Sequence, residues 1–393
     1  MPEVSTVSTA STSEVDVTAA FRAAVREAEE LIANPPFEAS AQELAEGYDY
    51  LAGSIRSSLQ IAFDYDLEHP VLINPTHQYA RQGLDNPDAI YFNAYLAPGA
   101  SYVVTGVRGT TADLSFQVMD GTYSAEGAPG TLAAFDDREL DVAEDGRFEW
   151  RIGPELGVTK GSTLIVREVY DDWNLEQRGT LRIQRLDTAG RPRATLTQER
   201  VAKRYAVAAK MLTGRIRTWF AFPEWFTYKE PVNTLTTPRS TPGGLTSQRS
   251  SIGHYSLADD EALVVSVPVA ACDYQAFQIG SRWYISTDYE HHQTSLTRAQ
   301  SQVDPDGVVR YVVSERDPGV ANWLETCGHP KGVMMMRWQR LSAGLGAADG
   351  PSVEVVPFSE VSSRLPFDQS VTPEQYAARI EARQVGIARR MIS

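Results

Sequence analysis

Short motifs recur in this chain at one constant separation, and this internal repeat limits the fold more than any other sequence feature. Two of the three repeated motifs lie in strand-like segments. The third is Asp-Gly, which is typical of tight hairpin turns. Equal spacing without insertions over roughly 44 residues predicts two β-sandwich units of one topology. The motif pairs, all at the same separation in the sequence, are Tyr102-Val103-Val104 and Leu263-Val264-Val265, Phe116-Gln117 and Phe277-Gln278, and Asp145-Gly146 and Asp306-Gly307.

Hydrophobic periodicity separates strands from helices along the chain. Alternation of period two occupies about 90–187 and returns at 262–341, with β-branched and aromatic residues between Gly, Asp and Pro turns. These patterns predict an α+β, mainly β fold with helices at the N-terminus, in the middle and at the C-terminus. Helical spacing is found at 16–34, 41–63, 197–222 and 373–391.

The same patterns divide the chain into segments. The first residues are small and polar and are predicted to be disordered, and a Thr-, Ser-, Pro- and Gly-rich stretch in the second half is predicted to be a long loop. The predicted segments are a tail at 1–15, N-terminal helices at 16–70, a first β-sandwich unit at 71–190, a connecting helix at 191–228, a loop at 229–252, a second β-sandwich unit at 253–345, and a C-terminal segment with a helix at 346–393.

The charge balance bears on partners and location. With 36 Lys and Arg against 51 Asp and Glu, the formal net charge is −15, which disfavours nucleic acids and anionic membrane surfaces. No apolar run approaches the ~18 residues of a membrane span, and the N-terminus lacks the pattern of a signal peptide. Two cysteines do not make a disulfide framework. A cytoplasmic protein with reduced thiols is therefore expected, and association into a homo-oligomer remains open.

Several longer stretches carry a family resemblance: DDEALVVSVPV (259–269), YQAFQIGSRWYISTDYEHHQTS (274–295), VDPDGVVRYVVSERDPGVANWLETCGH (303–329), GVMMMRW (332–338) and, in the first half, DNPDAIY (85–91) and RGT (108–110). They resemble the paired 1254/1214 group of domains of unknown function. The resemblance implies tandem jelly-roll-like antiparallel sandwiches, in agreement with the repeat, and no established activity. This chain has His291, Thr297 and Glu325 where Asn, Asn and Asp are common in the family.

Three residues of the polar segment 282–329 are candidates for acid/base catalysis. His292 is the family position, and a histidine can exchange a proton near neutral pH. Asp317 stands before a Pro-Gly turn, where it would orient a histidine or simply fix the turn. His329 lies on another turn, which could face the same pocket. A structural role is the alternative for each of them.

Neighbouring residues are candidates for substrate binding. Arg316 would bind a substrate oxygen, and Asn322 lies in the adjacent loop. The rings of Trp283, Tyr289 and Trp323 would stack on a sugar or another ring, or else belong to the core.

A metal site is the obvious competitor in this segment, because His291, His292, His329 and Asp317 offer suitable atoms. However, HxH and HxxxH spacings are absent, and adjacent histidines of one strand do not readily share an ion. Phosphate-loop, dinucleotide and serine-elbow motifs are absent as well. No metal or other cofactor is therefore predicted.

The first half offers a candidate duplicate of the site. Asp85-Asn86-Pro87-Asp88 and Arg108-Gly109 are polar and clustered, although Asn-Pro-Asp is also an ordinary turn signal.

Three functional hypotheses follow. The first is a cofactor-independent acid/base enzyme, a lyase of the hydratase or dehydratase type or a hydrolase. It would act on a small hydroxylated, partly apolar molecule bound between the sandwiches or in the mouth of the second. The alternative is a non-catalytic β-sandwich protein that binds a small molecule or carbohydrate. The third hypothesis is a structural or assembly subunit.

Overall fold

The chain forms β-sandwiches with helices packed on them, and a computed structural model describes residues 16–64 and 66–391. The tail predicted at 1–15 lies outside the described residues. The helices are α1 (Ala19–Ala33), α2 (Ala41–Asp64), α3 (Gln198–Phe226), α4 (Val361–Arg364) and α5 (Pro373–Met391). The strands are β1 (Ala89–Tyr95), β2 (Tyr102–Val107), β3 (Asp113–Asp120), β4 (Gly130–Asp136), β5 (Arg147–Ile152), β6 (Thr163–Val169), β7 (Thr180–Arg185), β8 (Thr234–Leu235), β9 (Arg249–Ser256), β10 (Glu261–Pro268), β11 (Cys272–Gly280), β12 (Ser295–Thr297), β13 (Val308–Ser314), β14 (Trp323–Glu325), β15 (Lys331–Leu341) and β16 (Ser352–Pro357).

The first sandwich consists of a four-stranded sheet, β1-β6-β3-β4, and a three-stranded sheet, β5-β2-β7. Its core is formed by side chains that alternate inward along each strand, including Val104, Phe116 and Leu164, which are fully buried. This packing is typical of antiparallel sandwiches, in which each strand contributes every second residue to the core.

The second sandwich consists of the sheets β12-β11-β15-β9-β8 and β14-β13-β10-β16. Its core includes Val265, Phe277, Tyr311, Met336 and Trp338, all fully buried. The strand pairs are antiparallel except β13 with the short edge strand β14, which is parallel.

The two sandwiches share one topology, and the order β1-β6-β3-β4 corresponds to β9-β15-β11-β12, as β5-β2-β7 corresponds to β13-β10-β16. The register agrees as well. Tyr102 pairs with Ile152 in the first unit, and Leu263 pairs with Val313 in the second. The separation in sequence between Ile152 and Val313 is the same as that between Tyr102 and Leu263. The predicted α+β, mainly β fold with two sandwich units and helices at the N-terminus, middle and C-terminus is therefore confirmed.

The repeated Asp-Gly motifs form equivalent tight turns. Gly146 and Gly307 have φ angles of +82° and +77°, a conformation that favours glycine. In each turn the backbone N–H of the glycine donates to the carbonyl three residues earlier, at 2.8 Å from Ala143 and 2.9 Å from Asp304. The motif therefore recurs because the same turn is needed twice.

The loop expected at 229–252 contains strand structure. β8 lies within it, and β9 begins at Arg249 and runs between β15 and β8 in the five-stranded sheet. The residues of β9 are RSSIGHYS, and Ser250, Ser251 and Gly253 are buried there despite their polarity or small size. The difference has a physical reason, because backbone hydrogen bonds to β15 determine the strand while its side chains lack the apolar alternation that the sequence criterion requires.

Helices α1, α2 and α3 form a layer on one side of the sandwiches. Their shared core contains Phe21, Ile32, Leu51, Leu212 and Ile216, and it also receives the Trp283 ring from the second sandwich. At the start of α3 the Thr197 hydroxyl accepts a hydrogen bond from the Arg200 N–H at 3.3 Å, which satisfies one of the free amides of the first turn. Within the described ranges, no helix is both long and apolar enough to cross a membrane.

Helix α5 connects the two sandwiches through two buried arginines. Arg383 donates to the Tyr289 and Ser295 carbonyls of the second unit at 3.0 and 2.8 Å. Arg390 donates to the Pro87 carbonyl of the first unit at 3.0 Å. Both guanidinium groups lie over the Trp173 ring, at 4.6 and 4.2 Å from its centroid. The C-terminal helix therefore holds the units together by cation–π and charge-assisted contacts.

Candidate functional site

A cavity of about 620 Å³ lies between the two sandwiches. One wall is the outer face of the β1-β6-β3-β4 sheet. In β6, Leu164 and Val166 point into the first core, whereas Ile165 and Arg167 line the cavity. The wall therefore follows from the alternation of side chains along a strand that has protein on both of its faces.

The opposite wall belongs to the second sandwich and the helical layer. In β15, Met334 and Met336 point into the second core, whereas Met335 and Arg337 line the cavity. Trp219 from α3 adds an aromatic surface. The cavity is therefore assembled from both units and from the helix between them.

The segment 241–248 closes one side of the cavity and is fixed to the first sandwich. The Gln117 amide donates to the carbonyls of Gly243 and Gly244 at 3.3 and 3.1 Å, and the Tyr123 hydroxyl donates to the Pro242 carbonyl at 3.1 Å. Gly243 has a φ of +66°, and a side chain there would collide with the Tyr123 ring. Burial raises the pKa of Tyr123 to about 12, so this phenol stays protonated and remains a donor.

Arg167 lines the cavity with part of its guanidinium group unpaired. Its Nη1 atom is buried without a hydrogen-bond partner, and no ion pair to its guanidinium occurs in residues 16–64 and 66–391. Its guanidinium lies 6.0 Å from the centroid of the Tyr91 ring. Burial lowers the pKa of Arg167, which indicates that its charged form is poorly solvated. An enclosed, unpaired guanidinium is costly unless an anion neutralises it.

Arg215 and Arg337, which also line the cavity, hydrogen-bond to protein acceptors through their terminal nitrogens. Arg215 donates through Nη2 to the carbonyls of Ala80 and Arg81 at 3.0 and 2.9 Å, while its Nε atom is buried without a partner. Arg337 donates to the Gln278 side chain and to the Leu84 carbonyl, the latter at 2.7 Å. Neutral carbonyl acceptors leave both positive charges in place, so all three guanidiniums contribute to a positive potential.

Asp85 is the buried acidic residue of the cavity wall. Its carboxylate accepts hydrogen bonds from the N–H and the hydroxyl of Ser286 at 3.1 and 2.8 Å. Burial raises the pKa of Asp85, and the positive charges of Arg81 and Arg337 oppose that rise. A carboxyl group with a raised pKa can hold a proton closer to neutral pH than an ordinary aspartate can.

The cavity is cationic although the chain as a whole is strongly acidic. A chain with net charge −15 therefore concentrates positive charge at one enclosed place, which favours an anionic ligand. The charged residues of its lining are Arg167, Lys210, Arg215, Arg217 and Arg337 against Asp85 and Glu126.

The three predicted catalytic residues do not share a hydrogen-bonded network. His292 bonds through Nδ1 to Glu325 at 2.8 Å, and buried His329 bonds through Nε2 to Glu46 at 3.1 Å. Asp317 is exposed and accepts the Gly319 N–H at 2.7 Å, which stabilises its own turn. None of the three lines the cavity between the sandwiches.

The aromatic residues predicted to bind substrate are buried in the interior. The Trp283 indole donates to the Glu43 carbonyl at 2.8 Å, and the Trp323 indole donates to the Ser314 carbonyl at 3.0 Å. Tyr289 packs edge-on against Trp173 with 6.2 Å between ring centroids. The three residues are at most 6% exposed, so their rings pack in the protein interior.

The predicted polar contacts are structural as well. The Asn322 side chain is fully buried and donates to the carbonyls of Gln302 and Arg310 at 2.7 and 3.1 Å, tying two segments together. Arg316 is exposed, with its guanidinium 4.1 Å from the centroid of the Phe358 ring. Neither residue lines the cavity between the sandwiches.

The first-half candidates divide between two places. Asp85 and Asn86 line the cavity, whereas the Asp88 carboxylate is buried and accepts bonds from Tyr274 and Trp173 at 2.7 and 2.8 Å. Arg108 binds Asp137 at 2.9 Å, away from the cavity lining. Arg167 and Arg337 were not among the residues predicted from the sequence. A charged residue within an otherwise apolar strand, as in TLIVREV, is the signal that could have found them.

Suitable metal ligands meet elsewhere on the second sandwich. The ligand atoms of His292, Glu325 and Cys327 all lie within 4.8 Å of one another. This set differs from the one considered in the sequence, since His291 pairs with Asp288 at 3.0 Å and His329 with Glu46 at 3.0 Å.

No protein-family model and no curated protein matches this chain. Among solved structures, an uncharacterised protein from Burkholderia cenocepacia matches with a TM-score of 0.76 and 28% sequence identity, over 87% of this chain and 97% of that one. The VPA0106 protein from Vibrio parahaemolyticus matches with a TM-score of 0.42 and 15% identity, over 85% of this chain and 100% of that one. The resemblance to the paired 1254/1214 domains stays a prediction.

Proposed function

We propose that this protein binds a small, partly apolar carboxylate in the cavity between its two sandwiches. The observation that carries the proposal is Arg167, which lines the cavity with an enclosed Nη1 atom that lacks a protein partner. A carboxylate would supply that acceptor and neutralise the charge, because a guanidinium binds a carboxylate through two parallel hydrogen bonds.

The size and lining of the cavity support a ligand of this kind. A volume of about 620 Å³ falls within the range of sites for small organic molecules. Met119, Ile165 and Trp219 supply apolar and aromatic surface, while Tyr91 and Asn93 supply polar groups. The unpaired guanidinium would fix one end of the ligand, and the apolar residues would enclose the remainder.

Substitution of Arg167 by methionine tests the proposal. A panel of aromatic and aliphatic carboxylates, each paired with its neutral amide, is titrated calorimetrically into wild type and into Arg167→Met. We expect the wild type to prefer the carboxylates, and the variant to lose at least about 30-fold in affinity, the equivalent of about 2 kcal/mol for a buried charge pair. The free energy of unfolding of the unliganded variant should be unchanged or higher, because an unpaired buried charge has been removed.

Arg217→Met is the matched control. Arg217 also lines the cavity, but it is exposed and paired with Glu27 at 2.7 Å, so its removal should leave carboxylate affinity within about twofold because exposed ion pairs contribute little. Equal affinity of wild type and Arg167→Met for every carboxylate that binds would contradict the proposal.

Acid/base catalysis is a second candidate function, and one observation favours it. Asp85 places a buried carboxyl group of raised pKa on the wall of a cavity that has a positive lining. Such a group could move a proton to or from a bound carboxylate substrate, as a hydratase, dehydratase or hydrolase requires. His292, the residue favoured in the sequence, would not take part in this version of the reaction.

Asp85→Asn distinguishes catalysis from binding alone. The amide oxygen can still accept the Ser286 N–H, and the amide NH2 can donate to the Ser286 hydroxyl, but the group cannot exchange a proton. An enzyme would therefore keep ligand affinity and lose at least about 100-fold in turnover. Glu126→Gln, which changes an exposed acid of the same cavity, should retain turnover. Turnover measured by NMR of candidate substrates that persists in Asp85→Asn would rule out this role for Asp85.

A further inference from the structure

Three potential metal ligands converge at the edge of the second sandwich, on residues that do not line the cavity. The Nδ1 atom of His292 lies 2.8 Å from Glu325 Oε2. One ligand atom from each of His292, Glu325 and Cys327 lies within 4.8 Å of the other two. Glu325 ends the edge strand β14, and its N–H donates to the Gln293 carbonyl at 3.0 Å. That bond holds β14 beside the segment that carries His292.

The backbone around Cys327 is held in an unusual conformation. Cys327 has a φ of +53°, in the left-handed region that non-glycine residues seldom adopt. Its carbonyl accepts a hydrogen bond from Gln42 of α2 at 2.7 Å, and the following N–H, of Gly328, donates to Glu315 at 2.7 Å. Contacts from two other segments therefore fix the loop that places the thiol beside His292 and Glu325. Left-handed residues that are held in this way often occur at functional sites.

The surrounding carboxylates form ion pairs only with histidines among the described residues. Asp288, Glu325 and Glu46 pair with His291, His292 and His329, at 3.0, 2.8 and 3.0 Å respectively. In the described ranges no lysine or arginine forms an ion pair with these three carboxylates. A fourth carboxylate, that of Glu315, accepts bonds from Thr326 and the Gly328 N–H. These four carboxylates give the patch an acidic character that attracts a cation.

We infer that His292, Glu325 and Cys327 bind one Zn²⁺ ion through the imidazole Nδ1, the carboxylate and the thiolate. Nitrogen, oxygen and sulfur ligands of this kind are those that Zn²⁺ accepts, and three protein ligands leave a fourth position for water. Zinc bonds of ordinary length place tetrahedral ligand atoms about 3.3–3.8 Å apart. The nitrogen and oxygen would move apart by less than about 1 Å, and the sulfur would move inward by a similar amount, as side-chain rotation allows.

Access agrees with a site that takes up its ion from solution. The side chains of His292 and Glu325 are 41% and 21% exposed, so an ion reaches them without opening the fold. Zn²⁺ binds the thiolate, so its uptake releases the Cys327 thiol proton to solvent.

Metal titration of the full chain tests this inference. After removal of metals with a chelator, Zn²⁺ is titrated into wild type, His292→Ala, Glu325→Gln and Cys327→Ser, with Cys272→Ser as the control. Cys272 is the other cysteine and is buried in the second core. We expect one equivalent of Zn²⁺ to bind to wild type and to the control, and each ligand variant to lose at least 10-fold in affinity.

Two further readouts separate a built site from adventitious binding. With Co²⁺ in place of Zn²⁺, wild type should show a thiolate-to-metal charge-transfer band that Cys327→Ser lacks. Zn²⁺ should also slow alkylation of Cys327, followed by mass spectrometry. Circular dichroism confirms that each variant is folded. Absence of stoichiometric binding by wild type, or a folded Cys327→Ser that binds Zn²⁺ with wild-type affinity, would overturn the inference.

Discussion

Replacement of Trp283 by alanine should lower the free energy of unfolding by about 3–5 kcal/mol, the usual loss when a large buried aromatic side chain is removed. The indole is fully buried between helix α2, Phe37 and Phe220, and its N–H donates to the Glu43 carbonyl at 2.8 Å. The variant loses the packing of the ring and leaves that carbonyl without its donor. Urea unfolding followed by circular dichroism measures the loss.

A second substitution makes this prediction more specific. Helix α2 passes so close to the indole that a Cβ atom on Gly47 would collide with it. Gly47→Ala should therefore destabilise the wild type, whereas in the Trp283→Ala background the added methyl group occupies space that the ring has left. The two substitutions should be non-additive by more than about 1 kcal/mol, as expected for residues in direct contact.

Tyr79→Ala is the control for Trp283, because the Tyr79 side chain is more than half exposed. Its effect should stay below about 1 kcal/mol, as is usual for surface substitutions. A similarly small effect of Trp283→Ala would mean that the indole is accessible, and stacking on a ligand, the role suggested by the sequence, would become the better explanation.

Replacement of Arg383 by alanine should destabilise the protein by about 3–5 kcal/mol, because it removes one member of a buried charged network and leaves its partners unsatisfied. The Tyr289 and Ser295 carbonyls would lose their donors, and Trp173 would lose a cation from its face. The buried Asp88 carboxylate would lose a neighbouring positive charge. Burial lowers the pKa of Arg383 to about 10, so the group is charged at neutral pH.

The position of Arg383 also predicts the shape of the unfolding transition of the Arg383→Ala variant. The C-terminal helix contacts both sandwiches through Arg383 and Arg390, so loss of Arg383 should weaken the coupling between the units. Differential scanning calorimetry should show a lower Tm and a broader or divided transition. Gln384→Ala, at an exposed position of the same helix, should preserve the wild-type transition. An unchanged Tm for Arg383→Ala would contradict the connecting role of this residue.

The fold was predictable to the extent that it depends on local periodicity and on the repeat. Short apolar segments, rich in β-branched residues or methionine, mark β6, β10 and β15 because one or both faces of these strands are buried. The same criterion failed at β9, whose Ser250, Ser251 and Gly253 pack against β8 and β15 without an apolar pattern. Backbone pairing between distant strands determines that element, and such pairing leaves little trace in its own residues.

The cavity was harder to predict because its walls come from distant parts of the chain. Arg167 and Arg337 belong to different sandwiches and line one cavity only because the outer faces of two sheets meet. The sequence favoured the crowded segment 282–329, where polar and aromatic residues suggest chemistry. Most of its candidates proved to be buried supports, since Trp283, Asn322 and Trp323 bond to backbone carbonyls. Among these candidates, His292 has a proposed functional role, as a ligand of a metal ion.

The shared register of the two sandwiches bears on how the cavity could arise in evolution. Duplication of one ancestral unit would leave corresponding strand pairs at one constant separation along the chain, as is found here. An ancestor with a single sandwich would have exposed both the sheet face of Arg167 and that of Arg337 to water, and it would have enclosed nothing between them. In a lineage of this kind the binding site would be younger than the fold, having appeared when two copies joined and the faces they turned toward each other diverged.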